Sequence, residues 1–142
     1  MATNDFTFSF PSSRDPKSIF ATLLNVKEWW TGLYSENITG SSSKLNDEFA
    51  FSAGEGAHYS KQRLTELVPS KKIAWKVTDS NLTFLKKPDE WTNTSISFEI
   101  SPEGDQSRVT FTHLGLVPKI ECYGGCSGAW TQYLKNLAEK LK

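Results

Sequence analysis

Hydrophobic and polar residues alternate with a period of two in several stretches of the chain between residues 49 and 113. The apolar-side positions of these stretches are Phe49 and Phe51; Ile73, Trp75 and Val77; Ile96, Phe98 and Ile100; and Val109, Phe111 and His113. Such alternation predicts antiparallel strands with one buried and one solvent-facing side. Residues 59–68 predict another strand with less regular alternation, and residues 79–92 remain unassigned. Turn-forming residues separate the strands at 54–56, 69–72 and 102–105.

The N-terminal part of the chain predicts one strand followed by short helical segments. Phe6–Phe10 alternates with period two, and Pro11 is expected to end that strand. Asp15 followed by Pro16 predicts an N-cap and a first helical residue. The apolar face of this helix and of its continuation towards Gly32 comprises Ile19, Phe20, Leu23, Leu24, Val26, Trp29 and Trp30. The spacing predicts either two short helices or one bent helix.

The C-terminal segment returns to helical spacing. Its apolar face comprises Trp130, Tyr133, Leu134, Leu137, Ala138 and Leu141, with lysines on the opposite face. Projected backwards, this face passes through Cys126 and Cys122, although the helix could instead begin after Gly125. The order of elements predicts an α+β fold: a curved antiparallel sheet of six or seven strands wrapped on a long C-terminal helix, in a single domain of residues 1–142.

Aromatic content changes the picture, because it reaches 13% and includes five tryptophans. Trp29, Trp30, Trp75 and Trp130 come from different predicted elements and converge on the concave face of the sheet. One helix about 10 Å wide is too narrow to cover a face of this size. The remaining space must be filled by side chains, by the short helices or by a ligand, and ligand sites are usually apolar cavities with few polar groups.

Charge and hydropathy exclude several functions. Acidic and basic residues balance at 16 each, without the basic stripe expected of a nucleic-acid-binding protein. No stretch approaches the roughly 20 apolar residues of a membrane span, and the N-terminus lacks a secretory leader. We therefore expect a soluble, cytoplasmic protein without nucleic-acid binding or membrane insertion, and nothing in the sequence predicts a cofactor.

Four stretches resemble the START-like, or SRPBCC, helix-grip superfamily, within the branch related to the C-terminal domain of Hsp-90 ATPase activator homologues. They are Glu28–Gly32; Leu64–Pro69 with Lys72–Trp75; Arg108–Pro118; and Cys122–Leu141. Many members carry Gly-Trp where this chain has Ala129-Trp130. The resemblance implies a hydrophobic cavity between helix and sheet. It does not imply one chemistry, since the superfamily includes lipid carriers, hormone receptors, cyclases and chaperone activators.

The segment Cys122–Ala129 invites several chemical interpretations. The cysteine spacing is not that of a Cys-x-x-Cys redox centre, and a zinc site would need His58 and His113 as distant ligands. Ordinary buried thiols explain the cysteines better. Ser127 lies in a near match to the nucleophile elbow but has no strand just before it. The glycines, costly inside a helix, suggest close backbone approach or space left for a cavity.

Two further residues could act on a ligand. His113, on the inward face of its strand, is either an acid/base group or a core histidine satisfied by a partner. Glu66 matches an acidic position common in the family, and is either inward-facing or exposed.

Together these observations predict a binding module for an apolar or amphipathic small molecule. The predicted ligand-binding residues are Trp30, Phe51, Trp75, Phe98, Phe111, His113, Cys126, Trp130 and Tyr133, and no metal ligand is predicted. Two alternatives are a chaperone-activator-like interaction domain, with a chaperone as partner, and a cyclase-like enzyme that uses His113 as acid and base.

Overall fold

The computed structural model of the chain describes residues 5–31, 35–83, 85–117 and 123–142. Seven strands and three helices follow one another along the chain. The strands are β1 Phe6–Ser12, β2 Asn37–Gly40, β3 Glu48–Ala53, β4 His58–Val68, β5 Lys72–Leu82, β6 Ser95–Glu103 and β7 Gln106–Leu114. The helices are α1 Pro16–Leu24 and α2 Val26–Trp29, after β1, and α3 Tyr123–Lys140 at the C-terminus.

The strands form one antiparallel sheet in the order β1-β7-β6-β5-β4-β3-β2, which confirms the predicted α+β architecture and its upper strand count. β1 is an edge strand that pairs only with β7 among the described strands. The prediction that Pro11 ends β1 is wrong, because Pro11 pairs with Arg108 inside the strand. An edge strand tolerates proline, since one side of its backbone needs no partner.

The irregular alternation of residues 59–68 has a structural cause. The register between β4 and β5 shifts twice: Thr78 is the extra residue in β5, and Thr65 is the extra residue in β4. The extra residue Thr65 moves the side chains that follow it in β4 relative to the regular two-residue pattern. The strand is therefore continuous although its hydrophobic pattern is not.

Two elements extend or add to the sequence prediction. β5 continues to Leu82, into the segment that the sequence leaves unassigned. β2 was not predicted, since only Ile38 of its four residues is even half-buried. An edge strand this short carries too little alternation to be recognised.

The helical segments after β1 form two short helices, α1 and α2. This is the first of the two arrangements that the sequence predicts, and the alternative was one bent helix. The Asp15 side chain accepts a hydrogen bond from the Ser18 backbone N–H, which confirms the predicted cap. Ile19 and Leu23 are buried beneath this pair. Helix α3 begins at Tyr123, before Gly125. The predicted helix end at Gly32 and the projected position of Cys122 lie outside the described residues.

The hydrophobic core lies between the concave face of the sheet and the three helices. Its largest fully buried side chains are Trp29, Trp30, Trp75, Trp130, Phe49, Phe51, Phe98 and Phe111. Within the described ranges, none of the helices has the length and apolar character that crossing a bilayer requires.

Candidate functional site

An apolar cavity of about 250 Å³ lies between the β3–β4 turn and the first half of α3. Its described walls come from the residue after α2, from β3, from the β3–β4 turn, from the start of β4, from the segment before β6 and from α3. The described lining residues are Trp30, Phe51, Ala53, Gly54, Ala57, His58, Trp91, Gly125, Cys126, Ala129, Trp130 and Tyr133. Gly54 and Gly125 are exposed, which places the mouth of the cavity between the turn and the first turn of α3.

Six of the twelve described lining residues carry aromatic rings, which pack against one another. Trp30 stacks on Phe51 with 4.1 Å between the ring centroids and 14° between the ring planes. Trp91 lies parallel to Trp130, with 5.9 Å between centroids and an interplanar angle of 8°. Contacts of this kind fix ring orientations in a core. The cavity wall is therefore rigid and largely flat.

Small residues create the free volume. Gly54, Ala53 and Ala57 line the cavity from the hairpin, and Gly125 and Ala129 line it from α3. A Cβ atom added at Gly125 would meet no heavy atom within 4 Å. Two explanations were open for the glycines of α3: close approach of the backbone, or space left for a cavity. The second explanation fits Gly125.

No Asp, Glu, Lys or Arg occurs among the described lining residues. Burial lowers the pKa of His58 to about 4, because the charged imidazolium is disfavoured away from water. His58 is therefore neutral at pH 7. The Tyr133 hydroxyl donates a hydrogen bond to Glu36 Oε2 over 2.6 Å. The cavity is thus uncharged, with one carboxylate held next to its wall.

The structure places His113 behind the cavity wall instead of in it. His113 is 0% exposed. Trp130 Nε1 donates to His113 Nδ1 over 3.0 Å, so the neutral ring carries its proton on Nε2, which lies 2.9 Å from Thr94 Oγ1. Thr94 in turn donates to the Trp91 carbonyl over 2.6 Å. Of the two interpretations from the sequence, the satisfied core histidine fits.

Burial, with a smaller contribution from the charge of His58, lowers the pKa of His113 to about 3. A histidine with this pKa lacks the acidic second proton of the imidazolium at pH 7, and its free nitrogen is a weak base. The hydrogen-bonded chain from Trp130 through His113 and Thr94 to Trp91 therefore connects α3 with the segment before β6. It does not offer an acid or base to the cavity.

The nine predicted ligand-binding residues divide into two groups. Five line the cavity, namely Trp30, Phe51, Cys126, Trp130 and Tyr133. Trp75, Phe98, Phe111 and His113 are fully buried elsewhere on the concave face and do not line it. Trp75 Nε1 donates to Ser42 Oγ over 2.8 Å, which fixes this ring within the core. Their distance from the cavity follows from the helices that cover them.

The other candidate residues from the sequence are the two cysteines and Glu66. Cys126 is buried on the cavity wall, but it is disulfide-bonded, so its interpretation as a free thiol is wrong. Cys122 lies outside the described residues. Among the residues that the structure describes, no His, Cys, Asp and Glu side chains cluster as metal ligands would. Glu66 is exposed, with Oε1 3.4 Å from Lys72 Nζ.

Sequence reasoning missed Trp91 and His58. Trp91 lies in a turn without periodicity, and its ring contacts His58 and His113 edge to face, with centroids 4.7 and 4.6 Å apart. His58 is the first residue of β4 and pairs with Ala53 across the hairpin. The strict register of a hairpin is the signal that could have placed His58 on the side of Phe51 and Ala53.

A curved antiparallel sheet wrapped on a C-terminal helix, with a cavity between them, defines the helix-grip class. The model of the family described as "Activator of Hsp90 ATPase homolog 1-like protein" matches residues 15–142. The chain belongs to this family. No curated protein gives a significant match to the sequence.

Solved structures share the fold at low sequence identity. The solution structure of the Aha1 dimer from Colwellia psychrerythraea has a TM-score of 0.75 and 22% identity, over 98% of this chain and 96% of that one. A protein from Mesorhizobium loti has a TM-score of 0.72 and 18% identity, over 95% and 94% of the two chains. A protein from Chromobacterium violaceum has a TM-score of 0.68 and 17% identity, with 98% of each chain covered. These likenesses show the fold alone.

Proposed function

We propose that this chain is a small-molecule binding domain that holds an apolar or amphipathic ligand in the cavity between the β3–β4 turn and α3. The observation that carries the proposal is unfilled volume behind aromatic walls. Closely packed interiors leave few voids larger than a water molecule. A space of about 250 Å³ in the core of a domain this small is therefore a feature to be explained.

The chemistry of the wall supports the same function. Apolar cavities stay dry and accept apolar molecules, because water inside them would lack hydrogen-bond partners. The mouth beside the exposed Gly54 and Gly125 gives such a molecule a route of entry.

The tryptophans provide a test with an internal control. Trp30, Trp91 and Trp130 line the cavity, whereas Trp29 and Trp75 lie in the core away from it. We expect titration with small apolar compounds to shift the indole N–H signals of the first three in the NMR spectrum and to leave those of Trp29 and Trp75 nearly unchanged. Native mass spectrometry of the purified protein should detect a bound species. Absence of shifts, or equal shifts of all five signals, would contradict the proposal.

A second candidate is an interaction domain that stimulates a chaperone ATPase. The family match over residues 15–142 and the likeness to an Aha1 fold favour it. The expected result is faster ATP hydrolysis by an Hsp90-type chaperone from the same cell when the protein is added. Unchanged hydrolysis together with no co-elution would rule against this role and leave the binding role in place.

The cyclase-like alternative receives less support. It requires His113 to reach the ligand, and the side chain is sealed behind Trp91 and Trp130 with both ring nitrogens engaged.

A further inference from the structure

The size of the cavity restricts what it can hold. An apolar cavity of about 150 Å³ accommodates benzene, whereas sites for drug-sized ligands run from about 300 to 1,000 Å³. The volume here, about 250 Å³, lies between these cases. One ring fits with space to spare, and a compact two-ring molecule uses the space better.

Charge restricts the ligand further. The described lining residues carry no charged side chain at pH 7, since His58 is neutral there. Transfer of an unpaired ion from water to such surroundings is strongly unfavourable. A carboxylate ligand would also lie near Glu36, which Tyr133 holds at the wall. Fatty acids and other anions are therefore poorly suited to this cavity.

Resting on the binding role proposed above, we infer that the ligand is an uncharged aromatic molecule of one or two fused rings. Its rings lie against the walls formed by Trp30, Phe51 and Trp130, where ring contacts add to the burial of apolar area.

A series of compounds with one naphthalene skeleton tests the inference. Binding of methyl naphthyl ketone, naphthalene, naphthoate and naphthylmethylammonium at pH 7, and of palmitate, is measured by calorimetry and tryptophan fluorescence. We expect the ketone to bind roughly tenfold or more tightly than either ion, and palmitate to show no saturable binding.

Two matched variants separate failure of this inference from failure of the binding role. Gly125 and Gly128 both lie in α3, both are exposed, and an added Cβ meets nothing within 4 Å at either position. Only Gly125 lines the cavity. Gly125→Leu should weaken ketone binding roughly tenfold or more, and Gly128→Leu should leave it unchanged.

The possible results distinguish failure of the binding role from failure of the proposed ligand class. If no compound binds, or if binding of the ketone survives Gly125→Leu, the cavity is not a binding site and the proposed function fails. If naphthoate, the ammonium ion or palmitate binds as tightly as the ketone, and Gly125→Leu abolishes that binding, the binding role stands and the ligand class is overturned.

Discussion

The two ends of the concave face are built from the same kind of side chain and end up in different states. At the packed end, Phe98 contacts the rings of Trp29, Trp75 and Phe111. At the cavity end, Phe51 contacts the rings of Trp30, His58 and Tyr133 and also borders free space. The sheet supplies aromatic residues to both. What differs is the size of the residues that face it.

The covering elements account for this difference. The second half of α3 presents Leu134 and Leu137, and Leu141 directly follows the helix end. All three are buried, and α1 adds Ile19 and Leu23. The first half of α3 presents Gly125, Cys126 and Ala129, and the β3–β4 turn presents Gly54 and Ala57. The distribution of large and small residues along one helix therefore decides where volume remains. A curved sheet alone does not create the cavity.

The largest expected effect comes from truncating a phenylalanine at each end. Phe98→Ala should lower the free energy of unfolding by about 3–5 kcal/mol, because it opens a void in a tightly packed region. Phe51→Ala should cost at least about 1 kcal/mol less, since part of its ring borders the cavity and fewer dispersion contacts are lost. Urea denaturation of both variants and of the unchanged protein measures the difference.

Phe98 and Phe51 provide a matched comparison, since both are buried on the concave face of one sheet. The exposed fractions of the two residues are 0% and 2%. Equal losses of stability for the two variants would mean that the cavity closes around Phe51 in solution. The contrast between the two ends would then be lost.

The next effect is loss of stability in acid, and it concerns two histidines: His58, which lines the cavity, and His113, which lies behind the cavity wall. Burial lowers the pKa of His58 to about 4 and that of His113 to about 3 in the folded protein. The unfolded chain binds a proton on each histidine near pH 6.5. Their contribution to stability is therefore fully present above pH 6.5 and is lost as the pH falls towards the folded pKa values.

The expected loss between pH 7 and pH 5 is up to about 2 kcal/mol for each histidine. Urea denaturation across this range measures it in the unchanged protein, in His58→Phe and in His113→Gln. Each substitution should remove one histidine's share of the slope. A ligand in the cavity should change the share of His58, which lines it, and leave that of His113 unchanged. A slope that neither variant alters would contradict the burial of both rings.

The strands and helices were accessible from the sequence because their patterns are local. Alternation in residues 73–77, 96–100 and 109–113 identified β5, β6 and β7, and the Asp15 cap identified the start of α1. Alternation also assigned His113 correctly to the inward side, where it is buried. These features depend on neighbours within a few residues.

The location of the free volume was not accessible in the same way. Whether an inward residue such as Phe51 or Phe98 borders a cavity depends on which part of α3 lies over it, and that is a contact between distant parts of the chain. Trp91 was missed because residues in a turn carry no period. Strand β4 was harder to recognise for a related reason, since the bulge at Thr65 interrupts its alternation of hydrophobic and polar residues.

The smallest effect concerns the glycines of α3 and sharpens the comparison along that helix. Gly128→Ala should raise the free energy of unfolding by about 1 kcal/mol, since alanine is a better helix former and its methyl group meets no atom within 4 Å. Gly125→Ala should gain less, because position 125 is in the first turn, where helices fray.

Differential scanning calorimetry or urea denaturation measures both gains, and titration with naphthalene tests whether they come at the expense of binding. Only Gly125 lines the cavity, so only Gly125→Ala should change the affinity. A stability gain at both positions with altered affinity at Gly125 alone would mean that glycine at 125 preserves space and that glycine at 128 does not. A loss of stability at either position would contradict the open surroundings of that glycine, because alanine is otherwise the better helix former.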